Sequence, residues 1–147
     1  MRLAASNHKD TKRTKDTKEG TDALSSRIIA AAIEVHRVLG PGLLESIYEE
    51  ALCRELEQQG IPLQRQACVP MEYKGLVLAT ALRLDVLVDE AIIVEVKAVE
   101  HLDPVHSAQL LSYLRAANLW LGLLINFNVP LLKNGIKRLV SGDPPSL

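Results

Sequence analysis

Residues 83–98 read Arg83-Leu84-Asp85-Val86-Leu87-Val88, then Asp89-Glu90-Ala91, then Ile92-Ile93-Val94-Glu95-Val96-Lys97-Ala98. Two aliphatic, β-branched runs around a short polar turn predict an antiparallel hairpin. Glu95 and Lys97 are two apart, so both project from one face of the sheet. Asp85 joins them only if it stands opposite Glu95, because directly opposed residues share a face. A two-residue loop pairs Val88 with Ala91 and sets Asp85 against Val94, on the wrong side. A three-residue loop pairs Val88 with Ile92 and brings Asp85 opposite Glu95. The hairpin therefore needs an odd loop or a bulge. Charges inside a run otherwise built for burial are expensive unless they are paired or used.

Outward from the hairpin, the period of the apolar residues sets the other elements. Upstream, Leu24, Ile28, Ala31, Val35 and Leu39 recur at helical spacing, with Ser25 or Asp22 as N-cap and Gly40 as the stop. After the break at Gly40-Pro41-Gly42, a second helix buries Leu44, Ile47, Tyr48, Ala51, Leu52 and Leu56, and Gly60 ends it. Ala67–Tyr73 is predicted as a strand and Leu76–Val88 as a longer one, ahead of Ile92–Ala98. Downstream, Val105–Asn118 is a helix capped by Asp103 with Pro104 at its first position. Leu119–Asn126 is an unbroken apolar strand of the kind buried on both faces, and Ile136–Val140 is a short last strand. The order α-α-β-β-β-α-β-β predicts a mixed α/β (α+β) domain, a central sheet flanked by helices. Residues 1–22 are expected to be a disordered basic tail, 23–141 the domain, and 142–147 a flexible C-terminal tail.

A chain of 147 residues holds one compact domain. Only 3% of its residues are aromatic, which argues against a surface of many stacked bases. Six basic and three acidic side chains give residues 1–20 a charge of +3, and 11 basic against 15 acidic leave the remaining 127 at −4. Tight nucleic-acid binding by charge alone is thereby disfavoured. Cys53 and Cys68 make no CxxC pair, so zinc and iron–sulfur sites lack ligands. No apolar run is long enough for a membrane span and no secretory signal opens the chain. A reduced, cytoplasmic protein without membrane contact is the expectation. No phosphate-cradling glycine loop or nucleophile elbow occurs, which sets aside P-loop and serine-hydrolase chemistry.

Asp85, Glu95 and Lys97 together make a small divalent-metal site with a cationic partner. Hard oxygen ligands suit Mg²⁺, with Mn²⁺ as its substitute, and Mg²⁺ commonly takes only one or two protein carboxylates. Such an ion acidifies bound water and offsets charge on a phosphodiester, while the ammonium orients water or balances developing charge. The structural alternative is a solvated sheet face carrying ordinary ion pairs. Gln109 and Tyr113 are i, i+4 on the third helix, so an amide and a phenol share one face. Glu45 opens the second helix, where the dipole favours a carboxylate whatever its role. His36 is expected to bond a neighbouring loop, His101 and His106 to face solvent, and Cys53 to fill the core.

In order, these features resemble a known family. Gly42-Leu43-Leu44-Glu45-Ser46-Ile47-Tyr48 matches the signature of the GxxExxY protein family. The segments VHRVLGPGLLESIYEEAL, RLDVLV, IIVEVKAVE, AQLLSYL and GLLINFNVPLLKNGIKRLV are similar to it too, over about 28–140. Leu76–Ala81 departs from the family's glycine and polar pattern ahead of the aspartate. That family is assigned to the restriction-endonuclease-like PD-(D/E)XK superfamily. The resemblance implies a nuclease: Mg²⁺-dependent hydrolysis of nucleic-acid phosphodiesters. It makes Asp85 and Glu95 metal ligands, Lys97 the catalytic lysine and Glu45 an acid that assists the metal. Gln109 and Tyr113 then correspond to a QxxxY helix that touches the nucleic acid, DNA or RNA. The alternative is a catalytically weak or inactive nucleic-acid-binding or protein-interaction module on the same fold. A homodimer is one way for so small a core to embrace a duplex, although no residue marks it.

Overall fold

A computed structural model of the chain describes residues 17–146. The expected N-terminal tail falls, for residues 1–16, outside the described residues. Helix α1 spans Lys18–Leu39, starting well before the expected Leu24. Its N-cap is Thr17, whose hydroxyl accepts from Gly20 N at 2.9 Å, in place of Ser25 or Asp22. Asp22 instead pairs with Lys18 one turn away and with Arg138.

After Gly40, helix α2 runs over Glu45–Gln58. Its buried side carries Tyr48, Glu49, Leu52, Cys53 and Leu56. Leu44 and Ile47, expected on that stripe, face out, Leu44 at 69% exposure. The phenol of Tyr48 sets this rotation: it donates to Gly40 O, accepts from Leu43 N at 3.1 Å, and stacks on Phe127 at 4.6 Å.

Strand β1 is Leu63–Val69, β2 Glu72–Tyr73, β3 Leu76–Val77, β4 Leu82–Val88 and β5 Ile92–Lys97. Helix α3, Pro104–Ala117, leads to β6 at Leu121–Asn126, and a 3-10 turn at Leu132–Gly135 precedes β7 at Ile136–Val140. The main sheet has the order β1-β4-β5-β6-β7, antiparallel throughout except for parallel β5 and β6, which α3 connects. Helices α1 and α2 pack on one face with Val86, Val88, Val94 and Val96. Helix α3 packs on the other with Leu84, Ile93 and Leu124. Every residue of β6 is buried, as its unbroken apolar sequence predicts.

Two of the expected strands are redrawn. The first begins earlier and ends at Val69, because Pro70 has no N–H to continue the ladder. Leu76–Val88 is not one strand: its first part pairs with Glu72–Tyr73 as a separate ribbon. Lys74 at φ 51° and Gly75 at φ 82° close that ribbon in the two-residue turn that suits the strand twist. The segment that departs from the family's pattern is thus partly this ribbon. Among the described residues no helix is long and apolar enough to cross a membrane.

Candidate functional site

The β4–β5 hairpin has the register that sets Asp85 against Glu95. Val88 pairs with Ile92, Leu87 with Ile93 and Val86 with Val94. Asp89 and Glu90 turn the chain at φ 52° and 56°, with Ala91 N bonded to Val88 O. Ala91 is therefore the extra residue, a bulge that shifts the register by one.

Beyond Val86 and Val94 the ladder gives way to side chains. Asp85 N donates to Glu95 Oε2 at 3.0 Å, and Val96 N donates to Asp85 Oδ2 at 2.9 Å. Each carboxylate thus takes the position a backbone carbonyl would hold. Glu95 is only 4% exposed and lies in the middle of the sheet. Burial first, and then the adjacent Asp85 charge, push its carboxyl up to about 8. Burial likewise raises Asp85, opposed by the Val96 N–H and helped by the Glu49 charge. Lys97 acts in the other direction on both, lowering them through its charge, yet makes no direct ion pair among the described residues.

The backbone of Lys97 is fixed from two sides. It pairs with Asn126 on β6, and its carbonyl accepts from Phe127 N at 2.9 Å. The buried Asn126 amide then holds both Val99 N and Val99 O, so the chain leaving β5 cannot drift. Glu45 Oε2 accepts from Ala98 N at 3.2 Å, docking the start of α2 on the end of β5. Tyr113 lies close enough for the Glu95 and Asp85 charges to raise its phenol, after burial as the larger cause. Gln109 is exposed one turn earlier on α3. The structure therefore gathers Asp85, Glu95, Lys97, Glu45 and Tyr113, and leaves Gln109 exposed on α3 without a side-chain hydrogen bond to them among the described residues.

Sequence reasoning missed Glu49. It is 7% exposed, and its charge reaches Asp85. Arg65 Nε donates to Glu49 Oε2 at 3.1 Å, and Gln66 Nε2 donates to both carboxylate oxygens at 3.2 Å. The available signal was its i, i+4 spacing from Glu45, which stacks the two acids on one side of α2.

Two histidines, His36 and His106, bond the backbone around them. His36 Nε2 bonds Val129 O at 2.7 Å, and His106 Nδ1 accepts from Asp103 N in the α3 capping box rather than facing solvent unengaged. Cys53 is buried, its thiol pushed up to about 12 chiefly by desolvation, and is inert as a nucleophile.

No group of three or more His, Cys, Asp or Glu forms a metal cage among the described residues. The pair nevertheless fits a hard divalent cation that keeps most of its waters. Two acids held together with their ionisation suppressed gain most from a cation. A sequence model of the PD-(D/E)XK nuclease superfamily matches residues 22–139. No curated protein and no solved structure matches the chain.

Proposed function

Because the chain belongs to the PD-(D/E)XK nuclease superfamily, we propose that it hydrolyses nucleic-acid phosphodiesters with Mg²⁺, or Mn²⁺ in its place. Nucleases of this superfamily generally use divalent metals. The observation that carries the reading is the reciprocal bracket of Asp85 and Glu95, with Lys97 two residues on. Asp85 and Glu95 would hold the ion, with Glu45 on the adjoining helix end to assist it. A divalent ion there supplies Lewis acidity toward water and the scissile phosphate. Lys97 sets its ammonium toward the charge that grows on the phosphate oxygens. Tyr113 and Gln109 on α3 line the approach and contact the nucleic acid.

The GxxExxY signature is part of the same reading, since its residues act together. Tyr48 clamps the Gly40–Leu43 turn, which presents Glu45 to the end of β5. A second copy would extend so small a core along a duplex.

Purified protein incubated with labelled single- and double-stranded DNA and RNA tests the proposal. Cleavage of at least one substrate with Mg²⁺ or Mn²⁺, abolished by a chelator and by Asp85→Asn, is the expected outcome. Binding without cleavage under every condition would favour the inactive binding module instead.

A further inference from the structure

Asp85 stands at a double break in the sheet. On the β5 side, backbone pairing stops at Val86 and Val94. On the β1 side, Arg65 pairs with Val86 and Ala67 with Leu84, while Gln66 and Asp85 between them do not pair. Gln66 is there in the left-handed region at φ 53°, which costs a non-glycine residue about 1 kcal/mol or more. Packing follows the break. Leu84 and Val86, two apart, should share a face, yet Leu84 lies in the α3 cluster and Val86 in the α1–α2 cluster. Ala67 joins the α3 cluster, while Arg65, also two apart from it, reaches Glu49 on α2.

The only side-chain anchor on Gln66 among the described residues is Glu49. Its buried carboxylate takes the Gln66 amide on both oxygens and Arg65 on one, so α2 grips β1 directly opposite Asp85. In an uninterrupted ladder Asp85 would pair across to β1 and its side chain would stand off the sheet. With the ladder interrupted, its carboxylate lies between strands on Val96 N, where it meets Glu95.

We propose that Glu49, Gln66 and Arg65 form a positioning clasp: by holding Gln66 left-handed, α2 opens the β1–β4 ladder opposite Asp85 and turns its carboxylate toward Glu95. The inference rests on the nuclease reading for its purpose, but its geometry is independent of it. Glu49, Gln66 and Arg65 are positioning residues and touch no reacting atom.

Two substitutions at one position separate the clasp from a merely stabilising contact. Gln66→Val opposes a positive φ, because branching at Cβ disfavours that region. Gln66→Gly accepts it freely and leaves Arg65 on Glu49 to hold β1 in place. Crystal structures of the metal-free variants are expected to show Asp85 Oδ2 off Val96 N in Gln66→Val and still on it in Gln66→Gly. Mn²⁺ affinity should fall at least about tenfold in the valine variant and stay within about threefold in the glycine variant. Should Gln66→Val fail to fold, Glu49→Leu carries the same expectation, with Glu49→Gln restoring the parent behaviour through its remaining oxygen. Asp85 Oδ2 remaining on Val96 N, with parent Mn²⁺ affinity, in Gln66→Val or Glu49→Leu would overturn the clasp. A parent that takes no Mn²⁺ would sink the nuclease reading instead, while the metal-free structures still decide the clasp.

Discussion

Glu95→Gln is expected to raise the thermal stability of the metal-free protein at pH 8 while abolishing both divalent-ion stabilisation and cleavage. The folded state holds Glu95 at about 8, well above its unfolded value of 4.5. The folded protein therefore binds this proton more tightly than the unfolded chain does. Its stabilising contribution is complete below about pH 4.5 and is lost as pH rises through about 8. Glutamine keeps an oxygen for Asp85 N and carries no charge to desolvate. The gain at pH 8 should be on the order of 1–3 kcal/mol, and should vanish near pH 4.5. Differential scanning calorimetry of parent and variant across this range reads it directly. Activity should drop by at least about 10³-fold, since the proposed ion would lose a ligand. A variant less stable than the parent at every pH would make Glu95 a structural ion-pair partner.

Lys97→Met should split the same two properties the opposite way. Its charge lowers both carboxyls, so its removal leaves Asp85 and Glu95 harder to ionise and the metal-free protein weaker near pH 8. The carboxylates remain, so Mn²⁺ still binds, with equal or greater affinity at high pH once the repelling cation is gone. Cleavage should nevertheless fall by about 10²–10³-fold, because in the proposed reaction the ammonium acts on charge that develops only in the transition state. Paired measurements of Mn²⁺ affinity and single-turnover cleavage check this. Loss of binding in proportion to activity would mean that Lys97 serves the metal site and not the reaction.

The hairpin was legible because parity leaves one register that joins Asp85 to Glu95, and Ala91 supplies the required extra residue. Helix α3 announces itself through Asp103 and Pro104, and β6 through its unbroken apolar run. The start of α1 was hidden because Thr17–Asp22 is polar and reads as loop. Its helix is secured by the Thr17 cap and by the distant Arg138, which no local pattern discloses. Tyr73, Leu76 and Val77 mimic sheet strands by composition, yet all three stay exposed in the ribbon, at 60%, 72% and 69%. Glu49 looks like a solvated charge beside Glu50 until β1 is folded against α2. The clasp depends on contacts between residues 16 and 17 positions apart and on a left-handed glutamine, and neither has a sequence signature.

Calorimetric titration of Mn²⁺ into the metal-free parent at pH 7, in two buffers of different ionisation enthalpy, tests the central claim most directly. With Glu95 at about 8, its carboxyl is largely protonated at pH 7 and must give up that proton to take the ion. The expected result is one site, about one proton released on binding, and no binding in Asp85→Asn. Absence of binding to the parent, or unchanged binding in Asp85→Asn, would contradict the assignment of Asp85 and Glu95 as the metal site.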